Sequence, residues 1–201
     1  MSRLKLFYAP GACSLADHIA LHEAGAQFDI ERVDLHTHTT EGGIDFRTIS
    51  AKGYVPALIL ADGQLLTENI AVLDHLVTLY PALGSTGPLG RTRMIEVLAT
   101  ISTELHRAFK PMWHGGSERE RAQADATGAG LLLLLSKSMK GTYLFGNEPT
   151  VADFYLFVML LWAERFNVEV PVPMAELRRR MRERPAVAAA MEAEGLADLK
   201  I

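Results

Sequence analysis

Cysteine is almost absent from this chain of 201 residues, which holds one, Cys13. A single cysteine excludes an intramolecular disulfide, so the fold depends on its buried core, and a chain of this length can bury a large one. The N-terminal residues also lack the charged start, apolar stretch and small-residue cleavage site of a secretory signal. These absences predict a protein of the reducing cytoplasm.

A strong charge of one sign is also lacking, and so are long apolar runs. The chain carries 20 Lys and Arg against 24 Asp and Glu, a net charge of −4, which excludes a general attraction to nucleic acid. The arginines between residues 178 and 184 are typical of a solvated helix face, with a binding patch as the alternative. The apolar runs at 131–135 and 154–163 are far shorter than the ~20 residues that span a bilayer. We therefore expect neither nucleic acid nor a membrane as a partner.

Strands and helices alternate over the first 80 residues. The apolar spacing predicts strand, helix and strand, in that order, over Leu4–Tyr8, residues 14–24 and residues 28–34. A polar loop is expected from His36 to Gly43. Two strands joined at Asp62-Gly63 follow, and then a helix that Glu68-Asn69 opens. This βαβ and ββα order predicts an α/β, thioredoxin-like domain with a mixed four-stranded sheet in residues 1–80.

Helices alone are predicted after a break in the chain. Residues 81–91 are rich in proline and glycine and predict a linker between domains. Residues 92–201 have the pattern of an all-α helical bundle. Its helices are expected over residues 92–113, 118–140, 151–166, 174–183 and 186–194. The third begins with a capping-box variant, Thr150 and Asp153, and is apolar nearly all round, which is typical of the centre of a bundle.

The single cysteine stands where the first strand is expected to turn into a helix. Pro10-Gly11 break the strand, and an apolar-periodic run begins near Cys13. Unpaired N–H groups and the positive end of a helix dipole favour a thiolate, and they lower a cysteine pKa to roughly 3.5–7.5 in such places. The other interpretation of a lone cysteine is a small buried side chain.

Six motifs in the same order along the chain are together typical of one family. They are Leu6-Phe7-Tyr8 with Pro10-Gly11-Ala12-Cys13-Ser14-Leu15-Ala16, Val55-Pro56, Leu66-Thr67-Glu68, Thr103-Glu104-Leu105-His106, Thr150-Val151-Ala152-Asp153 and Arg184-Pro185-Ala186-Val187. On these motifs the chain resembles the glutathione transferases, and specifically the beta class of bacteria. The resemblance covers nearly the whole chain.

The resemblance implies a binding site for glutathione. In that site Pro56 is cis, and the backbone N–H and C=O of Val55 pair with the tripeptide like an added strand. Glu68 and Asn69 open a helix whose amides suit a carboxylate, while the Glu68 side chain suits an ammonium. As pure helix caps the two residues would look similar. The residues expected to bind glutathione are Ala12, His38, Tyr54, Val55, Pro56, Glu68, Asn69, Thr103, Glu104 and Arg107.

The resemblance also implies which groups react. Cys13 is expected to be redox-active or to stabilise a thiolate, and Ser14 to donate its hydroxyl to the glutathione sulfur. His106 is expected to be the electrostatic partner of the cysteine.

Two positions depart from the family pattern. His38 stands in place of a lysine and Ala99 in place of an asparagine, and both changes predict weaker binding of glutathione. A metal site at His36 and His38 is rejected because no third ligand converges on them.

The activity implied is conjugation of reduced glutathione to small apolar electrophiles, a detoxification chemistry, by a homodimer that needs no metal. An apolar acceptor site is expected in a cleft between the domains, with walls that the helical domain contributes through Phe109, Met112, Trp113 and His114. One alternative is disulfide exchange through a Cys13 mixed disulfide, which would be monothiol because Ala16 stands where a second cysteine would be. The other is non-catalytic binding of an apolar ligand or a partner protein.

Overall fold

The computed structural model describes residues 3–197, which fall into two compact units. The first unit combines the described residues up to Leu83 with those from Pro185 onward, and the second runs from Gly84 to Arg184. The predicted division put residues 92–201 in one helical domain. The structure differs because the last helix packs with the first unit.

A mixed sheet forms the centre of the first unit. Its strands are β1 (Leu4–Tyr8), β2 (Phe28–Asp34), β3 (Thr39–Thr40), β4 (Ala57–Ile59) and β5 (Leu65–Thr67). Their order is β3-β2-β1-β4-β5, in which β1 runs parallel to β2 and antiparallel to β4. The buried residues Phe7, Val33, Phe46 and Ala57 pack together in its core. The predicted thioredoxin-like architecture is confirmed.

One strand of the sheet was not predicted. Thr40 pairs with Val33 of β2, so the described sheet has five strands where four were expected. β3 lies in the stretch predicted as a loop. Two polar residues carry no apolar alternation, so the sequence pattern does not distinguish such a short edge strand from a loop.

Helices make up most of the remaining chain. They are α1 (Leu15–Glu23), α2 (Asn69–Leu79), α3 (Gly90–Thr100), α4 (Lys110–Trp113), α5 (Glu118–Ser138), α6 (Val151–Phe166), α7 (Val172–Arg182) and α8 (Pro185–Ala193). Short 3₁₀ turns lie at Phe46–Thr48 and Pro81–Leu83, and a π-helical segment lies at Ile101–His106. Within residues 3–197, no helix is both long and apolar enough to cross a membrane.

The last helix, α8, packs on α1 in the first unit. Its buried side chains Val187, Ala190 and Met191 repeat at helical spacing and form the packed face. Periodicity indicates that a helix has an apolar face but not which element covers that face. The sequence therefore predicted the helix but not the element that it packs on.

The apolar helix α6 is the centre of the second unit, as predicted. Every residue from Val151 to Ala163 is buried. Asp153 supports the start of the helix, because its carboxylate accepts the Thr150 N–H at 2.8 Å and the Leu144 N–H at 2.8 Å. This carboxylate therefore ties the preceding loop to the first turn of α6.

Replacing Asp153 with alanine is expected to lower the free energy of unfolding by about 3 kcal/mol, since each buried donor left unsatisfied costs about 1–3 kcal/mol. Thr150 and Leu144 are buried, so water does not readily replace the carboxylate. Urea unfolding measures the change, with alanine at the exposed Asp125 of α5 as the control. A loss below about 1 kcal/mol would mean that the carboxylate does not hold the loop.

The predicted single helix over residues 92–113 is interrupted. It becomes α3, the π-helical segment and, after a bend, the short helix α4. Pro111 has no N–H to donate to the carbonyl four residues earlier, which favours a break at this point. Three of the predicted site residues, Thr103, Glu104 and His106, lie in the π-helical segment, and such segments often occur at functional sites.

Candidate functional site

The loop between β1 and α1 carries the single cysteine. In this loop the Ala12 N–H donates to the Ala9 carbonyl over 3.0 Å, and the Ala9 N–H donates to the Ser14 hydroxyl over 3.3 Å. Gly11 has a φ of +69°, a conformation that residues with a side chain rarely adopt. Cys13 is held just before α1, as predicted, and remains partly exposed.

Three of the predicted site residues meet at the cysteine. The Cys13 thiol donates to the Val55 carbonyl over 3.6 Å, and the Asn69 amide donates to the Cys13 carbonyl over 3.3 Å. The Val55-Pro56 peptide bond is cis, as the resemblance implied. The loop after β1, the segment before β4 and the start of α2 therefore converge on Cys13.

The protonation state of Cys13 differs from the prediction. Desolvation by burial, together with the Asp17 carboxylate, raises the pKa of the Cys13 thiol to about 12. Backbone hydrogen bonds at Cys13 and Ser14 lower the pKa, but burial outweighs them. Although the residue keeps some exposed surface, the surrounding protein is dense enough for desolvation to dominate. With this pKa the thiol form predominates at neutral pH, so the structure favours the buried-side-chain interpretation of Cys13 over the thiolate that a helix start favours.

Ser14 has a structural position. Its side chain is fully buried, and its hydroxyl accepts the Ala9 N–H as described above. A group with no exposed surface does not reach a ligand unless the loop moves. The structure thus argues against the predicted donation from Ser14 to a glutathione sulfur.

A polar cluster surrounds Glu68, the residue before α2. Glu68 has a φ of +74°, and its carboxylate accepts the Tyr54 hydroxyl at 2.7 Å and the Lys52 ammonium. The Lys52 and Tyr54 hydrogen bonds lower the pKa of Glu68. The predicted site residues Tyr54 and Glu68 are in contact. Lys52 was missed, and its only sequence signal is a lone lysine beside Gly53.

The ring of His38 is fixed by the backbone of a neighbouring loop. Its Nδ1 atom lies 2.9 Å from the Gly53 carbonyl, and His38 itself has a φ of +56°. A Cβ atom at Gly53 would come within 3.2 Å of this ring.

Ala12 packs against the apolar core of the first unit. Among residues 3–197 no group of three or more His, Cys, Asp or Glu side chains could hold a metal ion.

The other predicted binding residues belong to the second unit. The His106 Nδ1 atom lies 2.7 Å from the Tyr155 hydroxyl, and burial lowers the pKa of His106. The imidazole is therefore neutral at pH 7, so it acts as a hydrogen-bonding group and not as a cation. Thr103 donates to the Ala99 carbonyl over 3.0 Å, and the side chains of Thr103, Glu104 and Arg107 are exposed.

The predicted acceptor residues are divided between core and surface. Phe109 is only 1% exposed and packs on Trp162, so it is a core residue and not a wall of an open site. Trp113 is 40% exposed and contacts the rings of Trp162 and Phe166, with the Arg165 guanidinium 4.9 Å from its ring centre. Met112 is partly buried and His114 is exposed. Sequence reasoning missed the contribution of α6 to this aromatic cluster.

Comparison with known proteins agrees with these features. The model of the glutathione S-transferase N-terminal domain matches residues 12–79, and the model of the glutathione S-transferase C-terminal domain matches residues 88–193. Glutathione S-transferase GstA of Escherichia coli O157:H7 is 40% identical over 204 residues, which cover 96% of this chain and 100% of that protein.

Two solved structures are also similar. A bacterial beta class glutathione S-transferase from Sphingomonas chungbukensis has a TM-score of 0.87 and 42% identity, over 96% of this chain and 99% of that one. A sphingomonad glutathione S-transferase complexed with glutathione has a TM-score of 0.88 and 40% identity, over 96% of this chain and 100% of that one. With the cysteine loop, the cis Val55-Pro56 bond and both domain matches in agreement, the chain belongs to the glutathione S-transferase family.

Proposed function

We propose that this protein conjugates reduced glutathione to small apolar electrophiles, and that Cys13 stabilises the glutathione thiolate. The observation that carries the proposal is the Cys13 thiol 3.6 Å from the Val55 carbonyl, beside a cis Pro56. The structure of a relative 40% identical to this chain contains glutathione, which supports the ligand assignment.

The binding step uses backbone groups of Val55 and the start of α2. The cysteinyl part of glutathione pairs with the Val55 N–H and C=O like an added strand. The γ-glutamyl carboxylate binds the amides that open α2, where the helix dipole favours an anion. The ammonium of the same group binds the Glu68 carboxylate, which Lys52 and Tyr54 already orient.

The chemical step depends on Cys13 remaining protonated. A pKa of about 12 keeps the S–H group protonated. When the glutathione backbone takes the Val55 carbonyl that this group binds in the structure, the S–H group turns to donate its hydrogen bond to the sulfur anion of bound glutathione. That anion forms the new carbon–sulfur bond, and the leaving group departs with its electron pair. A donor that favours the anion lowers the glutathione pKa and increases the reactive fraction at neutral pH.

Disulfide exchange is the less favoured activity. The attacking species in that reaction is a thiolate, and burial holds Cys13 as the thiol. Ala16 also leaves no second cysteine to resolve a mixed disulfide. Non-catalytic ligand binding is also less favoured, because it does not require a thiol, a strand edge and an acidic helix start at one place.

We further propose a beta-class enzyme that works as a homodimer in the cytoplasm. The class is supported by the Sphingomonas chungbukensis relative, which is described as beta class. A single cysteine fits a reducing compartment. The homodimer is an inference from the family resemblance.

Conjugation is tested with reduced glutathione and a chloronitrobenzene, followed by absorbance. The native protein is expected to form the conjugate faster than the uncatalysed reaction at the same pH. Homologous acceptors that differ by one methylene are expected to differ in kcat/KM by about 10-fold or more, because an apolar cleft discriminates by shape. No conjugation with any chloronitrobenzene, combined with reduction of a mixed disulfide, would favour the exchange activity.

A further inference from the structure

The residue that follows α8 reaches the loop that carries the cysteine. Glu194 is 5% exposed, and its Oε2 atom accepts the Gly11 N–H at 2.9 Å. Its Oε1 atom lies 3.0 Å from Nδ1 of His18 in α1. We infer that Glu194 is a positioning residue that holds the Gly11 turn and thereby places the Cys13 thiol, a role that rests on the proposed function of Cys13.

The turn at Gly11 needs a partner for its amide. Its positive φ directs the N–H away from the local hydrogen bonds that close the turn, which join Ala9 to Ala12 and to Ser14. The Leu15 N–H and the Ala16 N–H donate to the Ala12 and Cys13 carbonyls, so the backbone joins the turn to the start of α1. The Glu194 carboxylate adds a second connection further along the helix, because it binds the turn and the α1 side chain of His18 at once.

The chain beyond Glu194 supports the same turn from the other side. The Leu196 side chain lies 3.8 Å from the position that a Cβ atom of Gly11 would occupy. Glu194 and Leu196, two positions apart in the chain, therefore both lie at Gly11, which is 183 positions earlier than Glu194. Both contacts lie within the first unit.

Packing alone does not explain a carboxylate at this position. Val187, Ala190 and Met191 already dock α8 on α1. Burial raises the pKa of Glu194, while its bonds to His18 and Gly11 lower it. An apolar side chain would dock α8 without this cost, because buried ionic groups are often replaceable by apolar ones. The groups that need an acceptor here are the Gly11 amide and the His18 ring.

The titratable groups that face Glu194 come from two elements. His18 and Asp17 belong to α1, and Tyr8 belongs to β1. Within residues 3–197 both carboxylate oxygens of Asp17 are buried without a hydrogen-bond partner. Asp17 also acts on the Cys13 thiol. Glu194 therefore binds α1, the helix that also carries Asp17, and the Asp17 carboxylate raises the pKa of Cys13.

Two variants of Glu194 separate positioning from simple docking. Glu194→Gln keeps the shape and an oxygen for the Gly11 N–H. Its amide N–H donates to Nδ1 of His18 once the ring proton moves to Nε2, so the contact is kept with its direction reversed. Glu194→Leu keeps most of the apolar contact but loses both polar contacts. Glu192→Gln, at an exposed position of the same helix, is the matched control.

The readouts are amide hydrogen exchange of the Ala9–Ser14 loop, the alkylation rate of Cys13 and KM for glutathione. In Glu194→Leu the Gly11 amide is expected to exchange at least about tenfold faster, since a hydrogen bond to a charged group is lost. Alkylation of Cys13 is expected to accelerate and KM to rise. Glu194→Gln and Glu192→Gln are expected to stay within about twofold of the native protein on all three readouts.

The inference would be overturned if Glu194→Leu unfolds more easily but keeps the native rates of Gly11 exchange and Cys13 alkylation. Glu194 would then only dock the helix. If Glu194→Leu does not fold, the test is the exchange rate of the Gly11 amide in the native protein. Protection of its Gly11 amide below about tenfold relative to an unfolded chain would overturn the inference. Exchange and alkylation need no turnover, so failure of the protein to conjugate glutathione would be seen separately.

Discussion

Iodoacetamide is expected to alkylate Cys13 about fiftyfold more slowly than a free cysteine at pH 7. Burial and the Asp17 carboxylate raise its pKa from an ordinary value of 9.0 to about 12. That change lowers the thiolate fraction about a thousandfold. A more basic thiolate is intrinsically about twentyfold more reactive, which leaves a net decrease in rate of about fiftyfold. The rate should increase about tenfold per pH unit from pH 6 to 9, with no plateau.

The same cysteine in the urea-denatured protein is the control, and it should react like a free thiol. Burial raises the pKa of Asp17 well above its ordinary value. Asp17→Asn should therefore speed the reaction of the folded protein only at pH values at which Asp17 is ionised, because the ionised carboxylate raises the pKa of Cys13. Equal rates in the folded and denatured protein would show that Cys13 is not desolvated, and a faster rate in the folded protein would favour the predicted thiolate.

Glu68→Gln is expected to raise KM for glutathione about thirtyfold and to change kcat less than about twofold, because a charge-assisted hydrogen bond is worth about 1.5–3 kcal/mol. The carboxylate binds a part of glutathione that does not react, so its loss affects the ground state and the transition state equally. Lys52 and Tyr54 hold Glu68 from outside the core, and exposed ion pairs contribute little to stability. The variant should therefore fold normally.

Steady-state kinetics at varied glutathione concentration measures this effect, with Glu192→Gln as the matched loss of a carboxylate. A variant whose KM equals that of the native protein would show that Glu68 is only a helix cap. A reduced kcat with unchanged KM would place Glu68 in the chemical step, which the proposal excludes.

Local patterns predicted most of the fold. The alternation in β1 and the apolar face of α6 are properties of neighbouring residues, and both elements lie where they were expected. The cis bond at Pro56 came from the family resemblance. The partner of α8 depends on contacts between distant residues, so periodicity did not reveal it. The break before α4 has a local signal, Pro111, which the apolar periodicity of the run did not take into account.

The chemistry of the site was harder to predict for the same reason. A helix start suggested a thiolate at Cys13, but desolvation depends on how much protein surrounds the thiol, and a sequence position does not specify that. The burial of Ser14 and the contact of Lys52 with Glu68 also depend on the folded backbone. The residue types indicated which parts of the chain form the site, but the packing of the folded chain determines what each residue does there.

The central claim is that the Cys13 thiol donates a hydrogen bond to the thiolate of bound glutathione. Its most direct test is the pKa of enzyme-bound glutathione, measured by the ultraviolet absorbance of the thiolate during a pH titration. The native protein should hold this pKa below that of free glutathione. Cys13→Ala should raise it by about one unit, the equivalent of about 1.4 kcal/mol, and Cys13→Ser, which keeps a donor, should restore most of the difference. The same pKa in the native protein and in Cys13→Ala would contradict the account.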